Sequence, residues 1–224
     1  MRSLSCNNLG AAGAAALAPA LAANGSLTSL NLGYNQLCGL DEEGRGTYTA
    51  DGITAIADAL RVNGSLTSIN LSENKLCGVW TDECGDEYGT YADYGTYTAE
   101  GITAIADALR VNGSLTALDL SDNYLMDEGV SAVCKAIQSN KETKLASLNF
   151  KHNYGIGPFG PVNYRNYRIG PVGAKSVAAM VSVTGALTSI DLSGNALTDS
   201  GRDMTGITEL AAALGVNGTL TEVR

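Results

Sequence analysis

Ser65-Leu-Thr-Ser-Ile-Asn-Leu-Ser-Glu-Asn-Lys-Leu76 decides how this chain is read, because near-copies of it recur without gaps. They run from Ser26 to Leu37, Ser114 to Leu125, Lys144 to Gly155 and Ala186 to Leu197. Apolar residues alternate within each, as Ile69 and Leu71 do, which is the period of a short strand with one face turned inward. The asparagine that follows (Asn35, Asn74, Asn123, Asn153, Asn195) suits the turn leaving the strand, where its side chain can bond backbone groups left unpaired. Leu4, Asn7 and Leu9 make a truncated copy at the start, and Thr219 to Arg224 make the opening half of another at the end. No such unit buries its own apolar face, so stability must come from stacked neighbours whose strands join in one parallel sheet.

Helical stretches lie between the strands. Gly52-Ile-Thr-Ala-Ile-Ala-Asp-Ala-Leu-Arg-Val-Asn63 recurs almost verbatim as Gly101 to Asn112, with Ile53, Ile56, Ala57 and Leu60 on one stripe. The following Gly64 and Gly113 suit left-handed helix caps. Ala11 to Ala23, Gly129 to Ser139, Val172 to Val183 and Gly206 to Gly215 fill the same slot. The first of these also looks like the apolar core of a secretory signal, but the repeat phase claims it as a helix. Pro19 takes the phase of Asp58, a solvent-side position, so it bends that helix and spares the core.

The shared pattern, L-x-x-L-x-L-x-x-N-x-L, resembles the leucine-rich repeat, and its length and helices resemble the ribonuclease-inhibitor-like type also found in NOD-like receptors. The resemblance covers essentially the whole chain. It implies an α/β solenoid, a curved horseshoe with an inner parallel sheet and outer helices, as a single domain over 1–224 of about six repeats. It also implies protein binding as the activity, with no catalytic residue, cofactor or metal.

Composition fits that reading. Net charge is −9 and charged residues are 17% of the chain, with no basic stripe to neutralise phosphates or hold a membrane surface. Nucleic acid and membrane insertion are therefore not expected. The single histidine, His152, stands just before an asparagine turn with no nucleophile implied beside it, and reads as a solvated loop residue. Asp82, Glu83, Asp86 and Glu87 lack the alternating carboxylates and terminal Glu of a calcium loop. Cys38 and Cys77 share one phase in adjacent repeats; they are either small buried residues or a disulfide between repeats. Asn24, Asn63, Asn70, Asn112 and Asn217 head Asn-x-Ser/Thr sites, four of them also Asn-Gly turns.

Spacing between the turn asparagines is 28 residues from Asn7 to Asn35, then 39, 49, 30 and 42. The excess places insertions near 40–50, 79–100 and 156–168, with a lengthened unit at 199–205. The three large ones share one phase, so they project from one edge. They carry Tyr48, Tyr88, Tyr91, Tyr94 and Tyr97 among acids, and Tyr164, Arg165, Tyr167 and Arg168 without acids. Tyrosine and arginine are preferred interface anchors, so these loops are either partner-binding or packed on one another along the edge. The outward positions of the sheet, such as Ser68, Asn70 and Ser72, hold no aromatic or arginine, and a tight ligand there is not expected.

The ends bear on function. No capping repeat is recognisable, and Val223-Arg224 reads in phase with Met1-Arg2, so that Arg224 running into Ser3 nearly restores a full motif. Matching open ends make a heterologous, non-closing interface. Met1, Arg2, Leu4, Cys6, Leu220, Val223 and Arg224 are thus expected to form a head-to-tail interface that builds a filament. The alternative is a recognition domain of a larger receptor or scaffold, binding a protein through its tyrosine-rich loops. The first suits an extracellular protein and the second a cytoplasmic one.

Overall fold

The computed structural model describes residues 2–41, 44–78, 97–153 and 168–224. Strand and helix alternate through them: β1 (Arg2–Ser3), α1 (Gly10–Ala23), β2 (Ser29–Asn31), α2 (Asp51–Val62), β3 (Ser68–Asn70), α3 (Glu100–Leu109), β4 (Ala117–Asp119), α4 (Met126–Ser139), β5 (Ser147–Asn149), α5 (Pro171–Val181), β6 (Ser189–Asp191), α6 (Thr205–Val216) and β7 (Glu222–Val223). The strands form one parallel sheet in sequence order, β1 to β7. Helix contacts run between sequential neighbours, α1 on α2 through α5 on α6, which is the one-dimensional contact pattern of a solenoid.

Period decides what is inside. Each of the five three-residue strands puts its middle residue inward, and Leu30, Ile69, Leu118, Leu148 and Ile190 are all buried. The next inward row is Leu32, Leu71, Leu120, Phe150 and Leu192, again buried. Ile53, Ile56 and Leu60 meet these rows from α2, and Ile102, Ile105 and Leu109 do so from α3. Burial of each such side chain is worth roughly 1.5–3 kcal/mol. Glycine is required where a helix begins against its neighbour: a Cβ on Gly101 would stand 2.4 Å from the Leu76 carbonyl oxygen.

The asparagines form a continuous ladder. Asn74 is fully buried; its Nδ2 donates to the carbonyls of Leu32, Leu71 and Ser72 (2.9–3.0 Å), and its Oδ1 accepts the amide of Asn35 at 3.1 Å. Asn35, Asn123 and Asn153 repeat the scheme, each taking the backbone amide of the preceding rung. The residues flanking each rung pay for the turn with left-handed backbone, as at Tyr34 and Gln36 (φ 61° and 58°) and Glu73 and Lys75 (φ 53° and 54°).

Helix ends depart from the sequence expectation. Gly64 and Gly113 are not in the left-handed region. α1, α2, α4 and α6 end at Asn24, Asn63, Asn140 and Asn217 in extended backbone (φ −76°, ψ 118° at Asn63), and α3 and α5 end at Arg110 and Ser182 in right-handed helical backbone. The reason is a second asparagine ladder. Asn63 Nδ2 donates to the carbonyls of Leu21 (2.7 Å) and Asn24 (2.9 Å), so the end of α1 is closed by the next repeat. α4 is the exception, because the matching position is Thr184, whose hydroxyl bonds Met180 of its own helix. Asn112 bonds Leu60, Asn140 bonds Leu109 and Asn217 bonds Val181, each at 2.7 Å. α1 continues past Pro19, which is exposed, and among the described residues no helix is long and apolar enough to cross a membrane.

Candidate interaction surfaces

The insertion edge is built from helix starts. In none of the six helices does the N-cap residue's own side chain bond the first turn, although Thr49, Thr98 and Asp203 accept the first amides of α2, α3 and α6. Three helices are also capped from the preceding repeat. Tyr48 Oη accepts the Gly101 amide (3.1 Å) at the start of α3 and donates to the Leu76 carbonyl (2.9 Å). Tyr97 does the same for α4, donating to Leu125 (3.1 Å) and accepting from Gly129. Asp127 takes over for α5, its Oδ1 accepting the amides of Gly170 (2.6 Å) and Gly173 (2.8 Å). Burial, reinforced by neighbouring thiols, pushes both tyrosine hydroxyls far above their ordinary 10.0.

Two of the residues expected to be partner anchors make these contacts. Tyr48 and Tyr97 are half-buried and packed on the core, with their hydroxyls committed to the next repeat, so at these positions the loops pack on the solenoid. Tyr88, Tyr91, Tyr94, Tyr164, Arg165 and Tyr167 lie outside the described residues, as do the acids at 82–87 and most of the insertions at 79–100 and 156–168. Arg168 stands at the return of the last large insertion, half-exposed, one residue before buried Ile169. The first insertion turns back on itself through a Leu40–Gly46 bridge, with Arg45 paired to Asp41 at 2.9 Å.

Cys38 and Cys77 are free thiols buried beside those tyrosines, and Cys134 is buried and free as well. Burial lifts the Cys38 thiol to about 12, opposed in part by its hydrogen bond with Tyr48. His152 is half-exposed, with Nδ1 3.7 Å from Asp122 Oδ1, and burial raises the Asp122 carboxyl while His152 and Lys151 lower it. Among the described residues no group of His, Cys, Asp or Glu is arranged to hold a metal ion.

On the sheet face the polar side chains are spent on their own turns. Asn70, Asp119 and Asp191 each accept the amide and hydroxyl of the serine two residues on, at 2.6–3.0 Å. The opposite edge holds something the sequence reading missed. Val62, Val111, Val183 and Val216, 60–76% exposed, occupy one phase at the helix ends, broken only at Ser139. The signal was present as an apolar residue before each Asn-Gly or Thr-Gly pair.

The two end faces open the core in cross-section. Leu4, Leu9 and Leu17 at one end, and Ile207, Leu214 and Leu220 at the other, are half-buried where their counterparts inside the array are fully buried. Val223 is 42% exposed, and Arg2, Cys6 and Arg224 are exposed; Met1 lies outside the described residues. The register corrects the expected phase by one residue. Arg2 pairs with Leu30 and Val223 pairs with Ile190, so Val223-Arg224 matches Arg2-Ser3, not Met1-Arg2. The slip arose because Arg2 stands where every other strand has an apolar residue.

The family described as Leucine Rich repeat matches over residues 3–18, 111–134 and 187–204. No curated protein matches the chain. Among solved structures it is similar to Leiomodin-1 Actin-Binding Site 2, at 16% identity and TM-score 0.51, over 90% of this chain and 88% of that one. It is likewise similar to a Caenorhabditis elegans tropomodulin C-terminal domain, at 11% identity and TM-score 0.52, over 92% of each chain. Identities this low speak to fold alone. With in-register parallel strands, alternating helices and an asparagine ladder at the strand exits, the chain has the leucine-rich-repeat fold.

Proposed function

We propose that this chain is a non-enzymatic repeat scaffold for protein–protein interaction, and that it associates with itself end to end through a shared repeat. The supporting observation is that its two ends are complementary halves. Residues 217–224 begin a seventh repeat and stop at Arg224; residues from Leu4 to Asn24 are the remaining half of such a unit. Leu4 of a second copy would follow Arg224 in phase, and Val223 would fill the inward position that Arg2 cannot.

Hydrogen-bonding groups match as well. Among the described residues the Asn195 amide and Asn7 Oδ1 have no partner, and elsewhere in the ladder that amide and that oxygen bond each other. Asn24 Nδ2 and the Leu214 carbonyl stand in the same relation, by the pattern of Asn63 with Leu21. The displaced segment is short, Met1 to Ser3. A repeat continuing either end of the chain would cover the same residues, so the proposal concerns the 224-residue protein.

Light scattering across a dilution series tests it. Mass should rise with concentration in wild type, and Val223→Asp should return it to the monomer without loss of helical signal. A monomer at every concentration refutes self-association. A second reading, recognition of a protein by the tyrosine-rich loops, is favoured by the way Tyr48 and Tyr97 pin the loop roots to helix starts. Leiomodin-1 carries an actin-binding site on a similar fold, which is in keeping with protein binding here. Under that reading, deletion of 82–94 should abolish capture of the partner while leaving the melting temperature unchanged.

A further inference from the structure

We propose that Asn24 is an acceptor for an N-linked glycan, and that it alone of the chain's five Asn-x-Ser/Thr sites keeps its amide open to one. The sites are Asn24-Gly-Ser26, Asn63-Gly-Ser65, Asn70-Leu-Ser72, Asn112-Gly-Ser114 and Asn217-Gly-Thr219. In the transfer, asparagine Nδ2 attacks the anomeric carbon of a lipid-linked oligosaccharide. The new C–N bond replaces the C–O bond to the lipid pyrophosphate, which leaves, and the amide gives up one proton. The acceptor therefore needs a reachable Nδ2 with hydrogen to spare and room for a sugar beside it.

Four sites fail that requirement for one reason, the stacking of repeats. Asn63 and Asn112 are 3% and 6% exposed, and their Nδ2 atoms are held at 2.7 Å by carbonyls of the preceding helix end. Asn217 Nδ2 donates to Val181 at 2.7 Å and to Thr184 at 3.3 Å. Asn70 lies half-buried on the sheet, donating to Asp119 at 3.4 Å. A sugar on any of them would break a rung between repeats.

Asn24 differs although its local geometry is the same. Its Oδ1 accepts the amides of Ser26 (2.9 Å) and Leu27 (2.7 Å), the turn that Asn63 and Asn112 also make. That turn orients the amide outward along the solenoid axis, where among the described residues nothing receives Nδ2. The residue is exposed, and a Cβ built on adjacent Gly25 would meet nothing within 4 Å. On the end-to-end reading, which this consequence rests on, the same amide meets Leu214 of a second copy. A glycan at Asn24 would then hold the chain as a monomer.

The folded 224-residue protein, incubated with a soluble asparagine N-glucosyltransferase and UDP-glucose, tests the assignment by peptide mass mapping. A hexose should appear at Asn24 at least tenfold faster than at Asn63 or Asn112. Unfolding in urea before peptide-level glucosylation should bring the rates together, and Asn24→Gln should remove the fast addition. Equal rates at Asn24 and Asn63 in the folded protein, or an unmodified Asn24 whose free peptide is modified, overturn the assignment. Light scattering of the glucosylated protein then reads association separately. If wild type never associates, the end-to-end reading fails while the mass map still decides Asn24.

Discussion

Replacing Asn74 by alanine tests whether the buried ladder holds the repeats together. The side chain makes five hydrogen bonds: Nδ2 to the carbonyls of Leu32, Leu71 and Ser72, and Oδ1 from the amides of Asn35 (3.1 Å) and Leu37 (3.3 Å). In the alanine variant the carbonyls of Leu32, Leu71 and Ser72 keep Asn35 Nδ2, Asn123 Nδ2 and the Tyr34 amide as donors. The amides of Asn35 and Leu37 are left buried without partners, at about 2 kcal/mol each. Some of this returns as strain released at Glu73 and Lys75, whose left-handed backbone the rung enforces. The balance is about 3 kcal/mol, or roughly 6–12 °C in melting temperature for a chain of this length. Asn7→Ala is the matched control: Asn7 is exposed, bonds only the nearby carbonyls of Leu4 and Ser5, and its loss should cost under about 1 kcal/mol. Both variants are read by thermal melts followed at the helical circular-dichroism band. Equal melting temperatures for the two would refute the reasoning, because burial and cross-repeat bonding are all that separate them.

Tyr48→Phe removes a hydroxyl bonded on both sides and should lower stability by about 1–2 kcal/mol in urea melts; an unchanged midpoint would return Tyr48 to the role of an idle surface anchor. Gly101→Ala drives a Cβ to 2.4 Å from the Leu76 carbonyl and should cost about 2 kcal/mol, whereas Gly25→Ala, facing open space, should be close to neutral. At Gln36, with φ 58°, glycine should be more stable than valine by about 2 kcal/mol, the ordering reversing only if that backbone is not left-handed. Cys38 has its folded pKa raised from 9.0 to about 12, and the buried Cys77 and Cys134 shift the same way. The unfolded chain therefore releases these protons first, so their contribution is full below about pH 9 and is lost as pH rises from 9 towards 12. Urea midpoints should be flat below that point and fall above it; midpoints that rise instead would contradict the burial of these thiols.

Much of the fold was legible because two periods leave strong marks. Ile69 and Leu71 alternate, Ile53, Ile56 and Leu60 recur at helical spacing, and asparagine marks each strand exit; every expected helix is present within a few residues of its expected bounds. The second ladder was not legible as such. Asn63-Gly64 and its copies read as a turn followed by a left-handed glycine, and only packing shows that the asparagine amide closes the previous helix. An asparagine at one phase after the helices (Asn24, Asn63, Asn112, Asn140 and Asn217, with Thr184 in the remaining repeat) was the available clue. The end phase failed for a related reason: Arg2 interrupts the apolar pattern in β1, which like β7 has only two residues with which to fix the register. The tyrosines divided according to what surrounds them. Tyr48 and Tyr97 follow Gly-Thr and precede Thr-Ala in identical words, yet they read from sequence as loop residues like the others; the Gly101 and Gly129 amides are what set them apart.

Cryo-electron microscopy of the concentrated 224-residue protein tests end-to-end association most directly. A shared junction repeat leaves six strand spacings per molecule in the seven-stranded sheet, so the rise along the sheet should be about 29 Å. Stacking without sharing adds a seventh spacing and gives about 34 Å. Filaments or short oligomers with the smaller rise, dissolved by Val223→Asp, are expected; the larger rise, or single solenoids at every concentration, would contradict the shared repeat.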